Sequence, residues 1–265
     1  MTERTQHRPH AHLVGLLTFA SGCVDVVTLM TIGGAFTSVI TGNLIFVGRA
    51  IGTLSPTPAL HAAMAVAGYV AGVAVGSRLV SLVGRSAPES AWPRRTTIVL
   101  AVECVILAAV NIAWIGYGAA LPAAATAVML TALALALGMQ SAAARAIDGT
   151  PSSTYMTGAL TALVEALATG RRRSVDMSAP VGLLALVVGA ACSVLLVEHA
   201  SRIALLPPLA AVSLVVAVKM RHHSMEWHTD DAHADDALDL TPADDIRPAY
   251  GSARPADRAF TATDG

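Results

Sequence analysis

Between Leu13 and Ile32 the sequence runs for twenty residues with a single charged side chain, Asp25. About 20 apolar residues is the length a helix needs to cross the hydrocarbon layer of a bilayer, at roughly 1.5 Å of rise per residue. Five more such stretches follow, near 60–83, 97–115, 120–144, 180–197 and 203–219, the last two slightly short. The chain as a whole is 54% apolar and only 13% charged, whereas a soluble domain carries about a quarter charged residues. These features predict an all-α fold, a polytopic helical membrane protein with six transmembrane helices. Aromatic residues are scarce, and Ala, Gly, Val and Leu fill the spans. Gly68, Gly72 and Gly76 recur every four residues in the second span, a face of small residues that lets helix backbones approach in lipid.

Lys and Arg set the orientation. With the N-terminus inside, the inner segments hold Arg4, Arg8, Arg78, Arg85, Arg94, Arg95, Arg145, Arg171, Arg172, Arg173, Lys219 and Arg221, and the outer ones hold only Arg49 and Arg202. This asymmetry predicts an inner (plasma) membrane protein with both termini cytoplasmic. Arg171–Arg173 reads as a topology anchor. The expected domains are an N-terminal arm (1–12), a membrane domain (13–219) and an acidic cytoplasmic tail (220–265) too poor in apolar residues to order itself. Ala20-Ser21-Gly22-Cys23 looks like a lipoprotein cleavage box. Cutting there would destroy half of a repeat, so the first span is expected to be retained.

The repeat has an offset of 116. Gly22 meets Gly138, Gly33 meets Gly149, and Thr41-Gly42 meets Thr157-Gly158, without gaps. Repeat one is 13–115 and repeat two 120–219. Each holds three spans, an odd number, so the second half enters the membrane from the opposite face. Two inverted three-helix repeats are a common transporter architecture. Thr41–Ile51 and Thr157–Thr169 are apolar and about half a bilayer long. Each begins with Ser or Thr side chains suited to capping, and we expect each to be a re-entrant half-helix with the positive end of its dipole inside. A helix lying flat on the surface has the same hydropathy.

The pattern Gly22-x-x-Asp25, Phe36, Thr41-Gly42-Asn43, with Gly138-Met139-Gln140, Arg145 and Thr154-x-x-Thr157-Gly158 in the second half, resembles that of the YoaK family of bacterial membrane proteins. The resemblance spans about residues 13–219. It implies an integral membrane protein of about six helices that looks transporter-like, and it supplies no substrate. Ser141 stands where members often carry Asn.

The residues singled out for binding are Asp25, Glu103, Thr41, Gly42, Asn43, Gln140, Thr157 and Gly158. A carboxyl inside a span is costly and is kept for a partner or a function. Asp25, placed near the midplane, reads as a proton or cation site, or as a structural acceptor for the break at Gly33-Gly34. Glu103 reads as lying nearer the cytoplasm, snorkelling or paired with Arg78, Arg94 or Arg95. Asn43 reads chiefly as a cap for the half-helix. Asn111 and Ser141 are weaker candidates. His222, His223, His228 and His233 read as solvated residues. The three cysteines show no metal or redox spacing, and no HExxH, GxSxG or Walker pattern occurs. We therefore expect no enzyme, no cofactor, no metal and no nucleic-acid partner. The expected partners are the lipid bilayer and an unidentified small solute or ion, and a homo-oligomer is compatible with this. The leading function is a small-solute or ion transporter or channel with its site between the repeats. The alternative is a non-transporting scaffold.

Reporter fusions after residues 56, 90, 118, 175 and 222 are expected to read out, in, out, in and in. An outside reading at residue 90 would overturn the topology.

Overall fold

A computed structural model describes residues 11–82, 92–118, 121–147, 156–170 and 178–221. Every regular element among them is helical: α1 (Ala11–Thr31), α2 (Ile40–Gly52), α3 (Pro56–Leu82), α4 (Arg94–Tyr117), α5 (Ala123–Arg145), α6 (Met156–Ala168), α7 (Ser178–Ala200), a 3-10 turn at Ser201–Ile203, and α8 (206–221). The N-terminal arm to residue 10, Thr154, Arg171–Arg173 and the tail from residue 222 lie outside the described residues.

Five of the helices, α1, α3, α4, α5 and α7, are long and apolar enough to cross a membrane. The sixth expected span coincides with α8, of which sixteen residues are described. Glycine and proline punctuate the chain. α1 stops where Gly33 and Gly34 take positive φ (88° and 69°), and the Gly34 N–H reaches back 3.3 Å to the Thr28 carbonyl. Only glycine adopts that left-handed backbone without strain. α3 opens on Pro56, whose missing N–H removes nothing from a first turn. α4 and α5 follow Pro93 and Pro122 directly.

α2 and α6 have thirteen residues each. That is about 20 Å of helix, short of the roughly 30 Å hydrocarbon layer. The 116-residue offset carries the bounds of α2 onto those of α6. It also carries over the order of burial: Ile40 to Leu44 and Met156 to Leu160 both run half-buried, exposed, half-buried, buried, exposed.

The most extensive packing joins α3 to α5 and α1 to α7. Both crossings are backbone against backbone. A Cβ on Gly72 would lie 2.1 Å from the Leu135 carbonyl oxygen, and one on Gly138 would lie 2.3 Å from that of Tyr69. At the other crossing, a Cβ on Gly22 would meet the Leu186 oxygen at 2.4 Å, and one on Gly189 the Phe19 oxygen at 2.2 Å. In each pair the contacts advance along both chains together, as in Gly68 to Thr131, Gly72 to Leu135 and Gly76 to Met139, so the helices run parallel. α2 packs on α3, α6 on α7 and α4 on α5. The core is filled by Leu17, Leu100, Leu130, Leu133 and Leu137. Large apolar side chains such as Val105, Ile112, Val128, Leu184 and Val187 point outward, where a bilayer would cover them.

Gly72→Val is expected to lower thermal stability in detergent by about 3 kcal/mol or more, because overpacking a backbone contact forces the helices apart. Gly48→Ala, at a position with nothing within 4 Å, is expected to change stability by less than about 1 kcal/mol. Equal effects would show that the α3–α5 crossing does not hold the fold.

Candidate functional site

Buried polar residues on α1 form one stripe: Thr18, Ser21, Asp25 and Thr28. Spacings of three and four place them on a single helix face. Thr18 donates to the Val14 carbonyl at 3.0 Å, Ser21 to Leu17 at 3.2 Å, and Thr28 to Val24 at 3.0 Å. Each hydroxyl therefore uses its proton on its own helix and presents an acceptor lone pair to the interior. Gln140 of α5 crosses to the stripe, its Nε2 donating to the Leu17 carbonyl at 3.0 Å and the Ser21 hydroxyl at 2.9 Å.

Asp25 holds the segment that leads into α2. Its Oδ1 accepts from the Thr37 N–H at 2.7 Å, the Thr37 hydroxyl at 2.9 Å and the Ser38 N–H at 2.8 Å. Its Oδ2 accepts from the Ser38 hydroxyl at 2.5 Å. Buried non-helical backbone must have its polar groups met from within the protein, and here one carboxylate meets two N–H groups and two hydroxyls. Asn43 meets two more groups: its Oδ1 accepts from the Phe36 N–H at 2.9 Å and its Nδ2 donates to the Phe36 carbonyl at 2.6 Å. On α3, His61 Nδ1 lies 2.9 Å from the Gly33 carbonyl, a contact that requires the Nδ1–H form as donor. The Phe36 ring stacks on Phe46 at 5.8 Å. It also lies where a Cβ on Gly42 would sit, 3.1 Å away.

This geometry revises several expectations. Asp25 binds Thr37 and Ser38, not Gly33 or Gly34, whose neighbourhood falls to His61. Asp25 lies fourteen residues into α1 and six from its end, so it stands about 6 Å from the middle of the helix and about 9 Å from that end. Asn43 ties down the approach segment and does not cap α2. The N-cap position is Val39, without a side-chain bond. Glu103 is wholly buried on α4 with neither oxygen hydrogen-bonded among the described residues, and it neither snorkels nor pairs with arginine. Arg95 instead donates to the Val80 carbonyl at 2.9 Å.

Asp25, Gly42 and Asn43 thus converge on one segment, and Gln140 joins the same stripe about one helical turn away. The Thr41 side chain faces outward. Thr157, also exposed, and Gly158 sit on α6 against α7, and Glu103 lies on α4. Thr18, Ser21, Thr37, Ser38 and His61 were not singled out from the sequence. The heptad-like spacing of the first two with Asp25 was the available signal.

The family described as "Protein of unknown function (DUF1275)" matches residues 13–218. The chain belongs to this family. Among curated proteins, this DUF1275 member is similar to the "UPF0700 transmembrane protein YoaK" of Bacillus subtilis (strain 168), 30% identical over 154 residues. The matched region covers 58% of this chain and 65% of that protein, just under two thirds of its length. No solved structure matches.

Asp25→Ala is expected to lower stability by about 3 kcal/mol or more, since it strands two backbone donors at once and each costs about 1–3 kcal/mol. Asp25→Asn, which keeps an acceptor oxygen, is expected to lose less. Thermal melts that rank Asn at or below Ala would show that these bonds do not hold the segment.

Proposed function

We propose that this protein moves a small polar solute or ion across the cytoplasmic membrane along the polar stripe of α1. The observation that carries the reading is the stripe itself, with Thr18, Ser21, Asp25, Thr28 and Gln140 gathered along one buried face of α1. Polar side chains inside spans face the bundle interior and mark solute and ion pathways. In this reading α8 is the sixth span, both termini are cytoplasmic, and α2 and α6 are re-entrant half-helices entering from opposite faces. The shared bounds and burial of α2 and α6 support inverted repeats. So does the exchange of partners, in which the first helix of each half packs on the second span of the other through glycines. The tie between Asp25 and Ser38 supports re-entry, because it holds the start of α2 about 9 Å below the end of α1.

A second reading, a membrane scaffold that transports nothing, draws support from the same carboxylate. Every donor to Asp25 is internal, and the residue is only 5% exposed. That is how a purely structural acceptor would look.

Flux into proteoliposomes, screened over small polar solutes and monovalent ions, separates the two. The expected result is flux of one substrate class, lost in an Asp25→Asn variant that still melts cooperatively. A folded Asp25→Asn protein with full flux would remove Asp25 from the path, and a wild type with no flux across the screen would favour the scaffold.

A further inference from the structure

Glu103 is the tenth residue of α4 and has no exposed surface, and neither of its carboxyl oxygens has a hydrogen-bond partner among the described residues. It stands about 14 Å along the helix from Arg94, close to the centre of a hydrocarbon layer roughly 30 Å thick. The same face of α4 carries Thr96, seven residues before, and Asn111, eight after. Thr96 Oγ1 and Asn111 Oδ1 are likewise buried without partners. Leu100 and Leu107 fill the gaps between them, in one apolar cluster with Leu130, Leu133 and Leu137 of α5.

A carboxyl in such a place is expensive, and no hydrogen bond among the described residues offsets the expense. The titratable or charged groups on the helices packed against α4 are His61, Tyr69 and Arg78 on α3, Arg145 on α5, and Lys219 and Arg221 on α8. Arg202 lies in the turn before α8. His61 is engaged with Gly33, and Lys219 lies over the Trp92 ring at 4.5 Å from its centroid. On α4 itself, Arg94, Arg95 and Tyr117 lie toward the ends, and the Cys104 sulfur is 3.7 Å from the Ser213 hydroxyl. None of these is hydrogen-bonded to Glu103.

We propose that Glu103 is a proton-exchange site at the centre of the membrane domain, its carboxyl taking up and releasing one proton when the α4–α5 interface opens to water. A metal cation would need several oxygen ligands together. The nearest unpartnered oxygens on this face lie two turns away in either direction, about 10–12 Å along the axis. A proton is the cation that a lone carboxyl binds by itself. For what the proton does, the inference rests on the transport reading, in which Glu103 supplies the coupling ion and Asp25 holds the path's architecture. Proton binding itself does not depend on that reading.

The test uses dicyclohexylcarbodiimide on the full-length wild-type protein in liposomes. The apolar reagent enters the bilayer and reacts with protonated carboxyls. The acid O–H adds across one C=N bond, its oxygen to carbon and its proton to nitrogen. The acyl group then shifts to the other nitrogen, giving a stable N-acylurea with no leaving group. Peptide mass spectrometry is expected to place the adduct on Glu103 and not on Asp25, with a yield that falls as the buffer goes from acidic to alkaline. No adduct on Glu103 would overturn the proposal, as would a yield independent of pH, which would mean a carboxyl that never releases its proton. Because the label is read on wild type, misfolding of a variant does not enter, and a failed flux screen leaves the result intact. If flux is found, Glu103→Gln is expected to abolish its dependence on a proton gradient. Unchanged dependence in a folded variant would overturn the coupling role.

Discussion

Hydrocarbon offers no hydrogen bonds, and the segment from Ile32 to Val39 is where this protein confronts that fact. A helix meets its own backbone requirement, but the non-helical turn between α1 and α2 does not. Three helices each contribute one side chain to the deficit: Asp25 from α1, Asn43 from α2 and His61 from α3. The position of α2 follows, because its first turn can start only where Asp25 fixes Thr37 and Ser38. Phe36, its backbone held by the Asn43 amide and its ring seated against Gly42 and Phe46, then sets how α2 lies.

The wider architecture depends on a different economy. Lipid tails are as apolar as leucine side chains, so spans gain little from hydrophobic burial against each other and must gain from close contact. Glycine at both partners of each main crossing brings carbonyl oxygens within reach of the opposite backbone, which raises dispersion contact per unit length. The same device appears at α1–α7 and at α3–α5, with Gly22 and Gly138 in equivalent places. Each half of the chain lends its first helix to the other half, and neither half is a self-contained bundle.

Much of this was legible in the sequence because it follows from length and hydropathy. The apolar runs marked the long helices, and the Thr-Gly motifs marked the short ones to within a residue or so at each end. Partner choice was not legible, since Gly22 and Gly189 carry no sign that they belong together across more than 160 residues. Asp25 was conspicuous as a lone charge, yet its donors were ordinary Thr and Ser, which occur in any turn. Glu103 was misjudged because nearby arginines suggested pairing, whereas the helix phase buries it on the face that carries Leu100 and Leu107. Asn43 was read as a cap because Asn before an apolar run usually is one. Here it serves the chain upstream instead.

The exchange of helices between halves has a consequence for how the protein is made. α3 can meet α5 once the chain has been synthesised to about Arg145, since only α4 separates them. α1 precedes these helices but can meet α7 only once the chain has reached about Ala200. In the interval its glycine face at Gly15 and Gly22 stands open to lipid. The carboxylate of Asp25, by contrast, finds its ligands within thirteen residues, and His61 completes the turn once α3 has followed. The order of assembly is therefore written into the pairing: the turn between α1 and α2, then the α3–α5 seam, and last the closure of α7 onto α1.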